Sequence, residues 1–388
     1  MTPDQAADNA ATSEQAGAQV TVDPATTAPA TSTVTAGTRH AWQLGPRSLS
    51  VAGVAVLIAV IGLFPLVFTN PTVTNFGVIT LIFVAVASAW NMFSGFSGYL
   101  SLGHAVFYGT GAYFVAVAAK DWNLTGTDVF WLLPLAGAVA ALLAVPLGLV
   151  ALRVRRHTFV VITIAYFFIA QLSASNLGVT GGSSGLLLPV PNWAPATFNN
   201  PFYYVAMLLA VAAVALSVLI RRSRFGLQLR AIRDDEDRAA GLGVRAMPVK
   251  LSALVLSAFI TGMAGALWVY FIGQAAATAV FDPLFDLAIV LMAFFGGLGT
   301  IAGPVLGALI LEPAQLYLTL QGGPAYESDI LFGALFLVVI LFLPRGVLPT
   351  AAEWVTPGRI RRLRERWLAR RAGRTANPPV PPAEGNLS

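Results

Sequence analysis

A chain of 388 residues with 56% hydrophobic and 11% charged residues, and a mean hydropathy of +0.73, has too much apolar surface for one water-soluble core; soluble domains carry roughly 25% charged residues. The composition implies lipid as the solvent for most of the chain. The absence of cysteine excludes disulfides, Cys-based zinc sites and thiol nucleophiles, and the formal charge of +5 does not point to nucleic acid, because the basic residues flank hydrophobic spans.

Residues 1–38, rich in Ala, Thr, Ser, Gly and Pro with four acids and no Lys or Arg, read as a disordered tail. They do not read as a secretory signal, which opens on a basic region followed by an apolar one; here the first apolar run begins near Leu49, after Arg39 and Arg47. From there apolar segments recur at the length that crosses about 30 Å of hydrocarbon, roughly 20 residues. Ten spans are expected, at Leu49–Thr69, Val73–Phe93, Gly103–Ala119, Phe130–Leu152, Thr158–Leu177, Phe202–Ile220, Leu251–Ile272, Leu284–Leu298, Ala302–Leu320 and Ile330–Leu343. The third and eighth are short and interrupted by glycine. The expected division is an all-α integral membrane domain over 39–348, between the N-terminal tail and a basic, then Pro-rich tail over 349–388.

Orientation follows from charge. With the amino terminus in the cytoplasm, ten spans place 22 of the 23 Lys and Arg on the cytoplasmic side and leave Lys120 outside. Cytoplasmic loops are enriched in Lys and Arg, so this count supports a plasma-membrane protein with both termini cytoplasmic. The connection from Leu177 to Pro201 has no Lys or Arg and suits an outer loop. In the C-terminal tail, Ile360, Leu363 and Trp367 fall at helical spacing among arginines, which fits either an interfacial helix on anionic lipid or a basic tail that merely obeys the charge rule.

The only long charged stretch between spans is an island from Arg221 to Lys250, with eight Lys or Arg and four consecutive acids, Asp234, Asp235, Glu236 and Asp237. Phe225, Leu229 and Ile232 recur at i, i+4 and i+7 with Arg224, Arg230 and Arg233 around them, predicting a short amphipathic helix. The acids can cap a second one holding Ala239 and Ala240, which Gly241 and Gly243 end. A helix so short is marginal in water and needs a surface to pack on, whereas a solvated connector would need no apolar stripe.

No Walker A pattern occurs, His40, His104 and His157 show no metal-ligand spacing, and no nucleophile, base and orienter set is visible. An enzyme acting alone is not expected. Two glycine-rich stretches interrupt the spans, Ser94–Phe114 with Ser101, Gly103 and His104, and Phe294–Pro313 with Gly296, Gly297 and Glu312. Small residues let helices approach closely and broken helices can line a polar path, so packing and substrate lining both remain open. A hydrogen-bonded structural role also suits His104. Glu312 lies about ten residues into the ninth span, where a bare charge costs on the order of 3 kcal/mol, so it should face protein or water or be protonated. The turn-rich TGGSSGL from Thr180 offers many backbone donors.

Taken together, SGYLSLGHAVFYGTGAY (from Ser97), TGGSSGL (from Thr180), SRFGLQLRAIRDDEDRAAGLGV (from Ser223), KLSALVLSAFITGMAGAL (from Lys250), FFGGLGTIAGPVLGA (from Phe294) and LFLPRGVL (from Leu341) resemble the LivM-type permease subunit of ATP-driven branched-chain amino acid importers. The strings stand in the family's order and cover about residues 50–350. The resemblance implies an ABC importer permease with short cytoplasmic coupling helices. Its implied partners are a second homologous permease, two ATP-binding subunits and an extracytoplasmic solute-binding protein. ATP and Mg would sit in the ATP-binding subunits, with no cofactor or metal on this chain. It further implies that Arg224, Phe225, Gly226, Leu229, Arg230, Ile232 and Arg233, with Ala239, Ala240 and Gly243 after them, couple to an ATPase. The chain departs from the family pattern at Ser184, where Asp is usual, and at Arg156 and Thr158, where a Gly and an aromatic are favoured. Those positions bear on specificity more than on transporter class. A permease for urea or short amides, an ion-driven secondary carrier and a non-transporting scaffold are the alternatives; a carrier would normally show several paired intramembrane ionisable residues.

Overall fold

The computed structural model describes residues 61–68, 70–195, 197–320 and 333–334. All of them belong to a unit that begins at Ala55; the other unit, residues 1–54, lies outside the described residues, as do the C-terminal basic segment and, apart from two residues, the expected tenth span. The expected first span enters only with residues 61–68, of which 61–67 are helical.

Helix α1, Pro71–Trp90, starts where Asn70 accepts a 3.0 Å bond from the Thr72 amide and Pro71 supplies a preset φ. It runs into a π-helical turn, Asn91–Gly95. Next come α2, His104–Asp121, then α3, Leu133–Ala151, preceded by a 3-10 turn at Gly126–Leu132, and α4, Arg156–Asn176. The following loop carries TGGSSG, in which Gly181, Gly182 and Gly185 all take positive φ, the reason glycine recurs there. It ends in β1, Leu186–Leu187.

Helix α5, Asn199–Arg222, leads into two short helices, α6, Arg224–Asp234, and α7, Glu236–Gly241. The long α8, Ala246–Ile272, stops at Gly273 with φ 80°. Strand β2, Gln274–Ala275, then pairs antiparallel with β1, Leu186 opposite Ala275 and Leu187 opposite Gln274. Finally α9, Ala277–Val280, α10, Pro283–Gly296, and α11, Ala302–Leu320, complete the described bundle.

Six helical stretches among the described residues are long and apolar enough to cross a membrane: Pro71–Gly95, Gly126–Ala151, Arg156–Asn176, Asn199–Arg222, Ala246–Ile272 and Ala277–Gly296. Helices α2 and α11, expected as the third and ninth spans, are present but fall outside that group. In α2 the polar ends, His104, Lys120 and Asp121, dilute the hydropathy.

The core centres on α8, which packs most extensively on α2 and α3 and also meets α1 and α5. Close approach is built from small residues: a Cβ on Gly111 would overlap the Gly262 backbone, and one on Gly262 would overlap Ala140. At one end of the bundle an aromatic cluster joins Phe130, Trp193, Phe202 and Tyr270, with Phe202 and Tyr270 centroids 5.3 Å apart. At the other end lie the α4 start, α6 and α7. Gly111→Val is expected to cost at least about 1–3 kcal/mol by overpacking, read as a lower Tm in detergent. Gly178→Val, with open space around the new Cβ, should leave the Tm unchanged.

Candidate functional site

The island folds as the two expected short helices. Ser223 accepts from the Gly226 amide at 3.3 Å to start α6, and Asp235 accepts from the Asp237 and Arg238 amides at 3.1 and 3.0 Å to start α7. Gly226 is required by the tight turn out of α5, because a Cβ there would overlap the Ile220 carbonyl.

The apolar stripe faces differently from the sequence reading. Leu229 and Ile232 are 0% exposed and Phe225 is half-buried, packed where α6 meets α5, α7 and α8 of the same chain. A surface for an outside partner is therefore not what this stripe supplies. The physical reason is the one that predicted the helix: eleven residues need a packing surface, and the chain provides its own. The outward face of α6 is Arg224, Leu227 (59% exposed), Arg230 and Asp234. In α7 Ala239 is buried and Ala240 exposed, and beyond it Leu242 is 86% exposed before Gly243 turns the chain with φ 87°.

Polar bonds fasten the two short helices to the bundle. Arg156, the first residue of α4, donates from Nη2 to the carbonyls of Ile232 and Arg233, both at 2.8 Å. Arg233 donates from Nη1 to the Gly95 carbonyl at 2.6 Å. Lys250 in α8 is 3% exposed and spends its three donors on Glu236 Oε1 at 2.6 Å, the Tyr99 hydroxyl at 3.1 Å and the Leu152 carbonyl at 3.5 Å. The Tyr99 hydroxyl donates to Glu236 Oε2, and the ammonium lies 4.3 Å from the Tyr99 ring centroid. Burial pushes the Tyr99 hydroxyl well above its ordinary pKa, and the bond to Glu236 adds to that. For Glu236, burial raises the pKa, but the bonds from Lys250 and Tyr99 outweigh it and hold the carboxyl below the ordinary range.

The glycine-rich breaks are close-packed. His104 lies between two hydroxyls, Nδ1 3.0 Å from Ser101 Oγ and Nε2 2.8 Å from Ser257 Oγ. Ser257 gives its own proton to the Ala89 carbonyl at 2.7 Å, so it accepts from Nε2–H. Both ring nitrogens are thus bonded within the chain, the structural role among those open from the sequence. Ser101 and His104 are buried, and a Cβ on Gly103 would come within 2.7 Å of the Thr163 carbonyl. Gly296 lies against the backbone of Gly303, and Gly297 has φ 122°. Glu312 is buried in α11, and its Oε2 has no hydrogen-bond partner among the described residues. All six residues expected along a path are buried within the chain, and two of them, Ser101 and Gly103, line a narrow cavity with Phe159, Thr163 and Leu254.

Sequence reading missed several residues. Asp286 is, like Glu312, a buried acid, and it accepts from the Ala105 amide at 3.1 Å at the start of α2. Asn91 accepts from the Gly299 amide and donates to the Thr300 carbonyl, both at 2.8 Å, joining α1 to the break before α11. No local periodicity pairs residues so distant in the chain; the only sequence signal was a polar residue inside an apolar run. At the opposite end an open groove of about 530 Å³ is lined by Thr110, Tyr113, Phe114, Ser173, Thr180 and Phe281, so the TGGSSGL loop contributes to its wall. Among the described residues no cluster of His, Asp or Glu could hold a metal.

The family model for the permease component of branched-chain amino acid transport systems matches residues 72–340, which takes in every helix from α1 to α11. The chain belongs to this permease family. It is a multi-pass membrane protein. Over 329 residues it is 29% identical to the high-affinity branched-chain amino acid transport permease LivM of Escherichia coli K12, covering 76% of this chain and 74% of that protein. It is 28% identical to the permease LivH of Salmonella typhimurium, covering 69% and 91% of the two chains. A shorter match, 28% over 38% of this chain and 42% of the other, is to the autoinducer 2 import permease LsrC of Yersinia enterocolitica. No solved structure matches the chain.

A pH dependence follows from Glu236. Its folded carboxyl titrates below its ordinary value of 4.5, so its stabilisation is complete above that pH and is lost as pH falls through the lower folded value. The Tm in detergent should fall as pH drops below about 4.5, and Glu236→Gln should flatten part of that decline in unfolding scans from about pH 3 to pH 7.

Proposed function

We propose that this chain is the permease subunit of an ATP-driven importer of branched-chain or related amino acids in the plasma membrane. The observation that carries the reading is the family match over residues 72–340, the island included. The chain works with a second, homologous permease, two ATP-binding subunits that hold ATP and Mg, and an extracytoplasmic solute-binding protein. It binds no cofactor itself and catalyses no reaction of its own.

Charge supports the orientation. Every Lys and Arg among the described residues except Lys120 belongs to the α3–α4 connection, the first residue of α4 or the island, and Arg156 ties these together at one end. That end is the cytoplasmic one by the positive-inside rule, and both termini lie on the same side. The island is then the ATPase docking element, through the outward residues Arg224, Leu227 and Arg230 with Leu242 beside them, rather than through the buried stripe.

Labelled leucine uptake in a strain lacking the chromosomal gene tests the class and the substrate together, with uptake restored by the wild-type chain and abolished by ATP depletion. In the same strain Leu227→Asp is expected to insert normally while losing most ATPase co-purification and at least about tenfold of uptake, the effect of one lost interface anchor. Leu229→Asp should instead lower the amount of folded permease, because it buries an unpaired charge. Full uptake by Leu227→Asp would remove the docking assignment.

A further inference from the structure

We propose that Arg233 is the positioning residue that carries movement of the island into the membrane helices, by holding the end of α1 and the α10–α11 break to α6. The inference rests on the importer reading above and names a route inside it.

Arg233 stands at the end of α6 and is gripped from both directions. Its backbone carbonyl, with that of Ile232, is held by Arg156 at the start of α4. Its guanidinium passes the other way, to the Gly95 carbonyl that ends the π-helical turn of α1. Two glycines make room for it. A Cβ on Gly98 would stand 3.0 Å from Arg233 Cγ, and one on Gly299 would overlap Nη1. Gly98 and Gly299 have φ 75° and 77°, so they also form the turns that bring both breaks to this point.

The two breaks meet on one side chain and already act as one body, because Asn91 bonds Gly299 and Thr300 across them. A push on α6 therefore reaches α1, α4 and the α10–α11 connection together through two arginines. No acid lies within ion-pair distance of Arg233 among the described residues; the ion pairs there are Arg238–Asp235 and Lys250–Glu236. Burial pushes its pKa down, and the nearby Asp234 carboxylate opposes that by favouring the cation. The bond is thus directional, made to a carbonyl rather than to a mobile carboxylate. The planar fork suits that geometry, and an ammonium on a flexible stem does not.

The experiment uses the complete transporter with all partner subunits in proteoliposomes, with solute uptake and ATP hydrolysis measured in the same vesicles. Arg233→Ala is expected to leave the complex assembled and hydrolysing ATP while uptake falls, so that ATP hydrolysed per solute rises about tenfold, the factor a lost charge-assisted hydrogen bond carries. Arg233→Lys should give a smaller rise, and Arg238→Ala, with its side chain 87% exposed, none. A merely structural role would reduce uptake and hydrolysis in proportion, so an unchanged ratio in Arg233→Ala overturns the inference. Should Arg233→Ala fail to reach the membrane, the Lys variant decides, and an unchanged ratio there overturns it equally. A wild-type complex without ATP-dependent uptake would instead overturn the importer reading.

Discussion

A helix that breaks inside an apolar bundle leaves amides and carbonyls that lipid cannot bond, and each must find a partner on another helix. This chain breaks its helices after Gly95 and again between Gly296 and Ala302, and the partners come from far away in sequence. Arg233 takes the Gly95 carbonyl, Asn91 takes the Gly299 amide and the Thr300 carbonyl, and Asp286 takes the Ala105 amide. The breaks are therefore where the bundle is cross-linked, and the polar residues scattered through the apolar spans are there to make those links. Small residues do the complementary work along α8, where van der Waals approach replaces hydrogen bonding.

The island depends on the same rule. Its two helices are too short to persist alone, so they bury Leu229, Ile232 and Ala239 against the bundle and pin their ends with Arg156, Arg233 and the Glu236–Lys250–Tyr99 set. Two layers result. An inner apolar layer belongs to this chain, and an outer layer of Arg224, Leu227, Arg230 and Leu242 faces away from it.

Much of this was legible in the sequence because hydropathy and charge act locally. Segment lengths located most of the helices, the apolar stripe and the run of acids marked the two island helices, and the run of family strings pointed to the permease class. What the residues did not reveal was direction and distance. Periodicity placed Phe225, Leu229 and Ile232 on one face without saying whether that face meets the chain or a partner. The Asp286–Ala105 bond spans 181 residues and follows no repeat. Glycine was ambiguous for the same reason, since a residue without a side chain suits a tight contact and an open path alike until its neighbours are known. Arg156, a departure from the family pattern, reads in the fold as a clamp on α6, which ties that difference to how the island is held.

The two-residue ladder between β1 and β2 looks minor, yet it joins the TGGSSGL loop to the end of α8. At the other end of that helix Lys250 is locked to Glu236 and Tyr99. A rod of 27 residues, about 40 Å long, thus has one end fixed in the charged island and the other in the loop that walls the groove on the far side. Tilting it at either end must displace the other. The two faces of the protein are thereby joined by a single unbroken helix anchored at both ends.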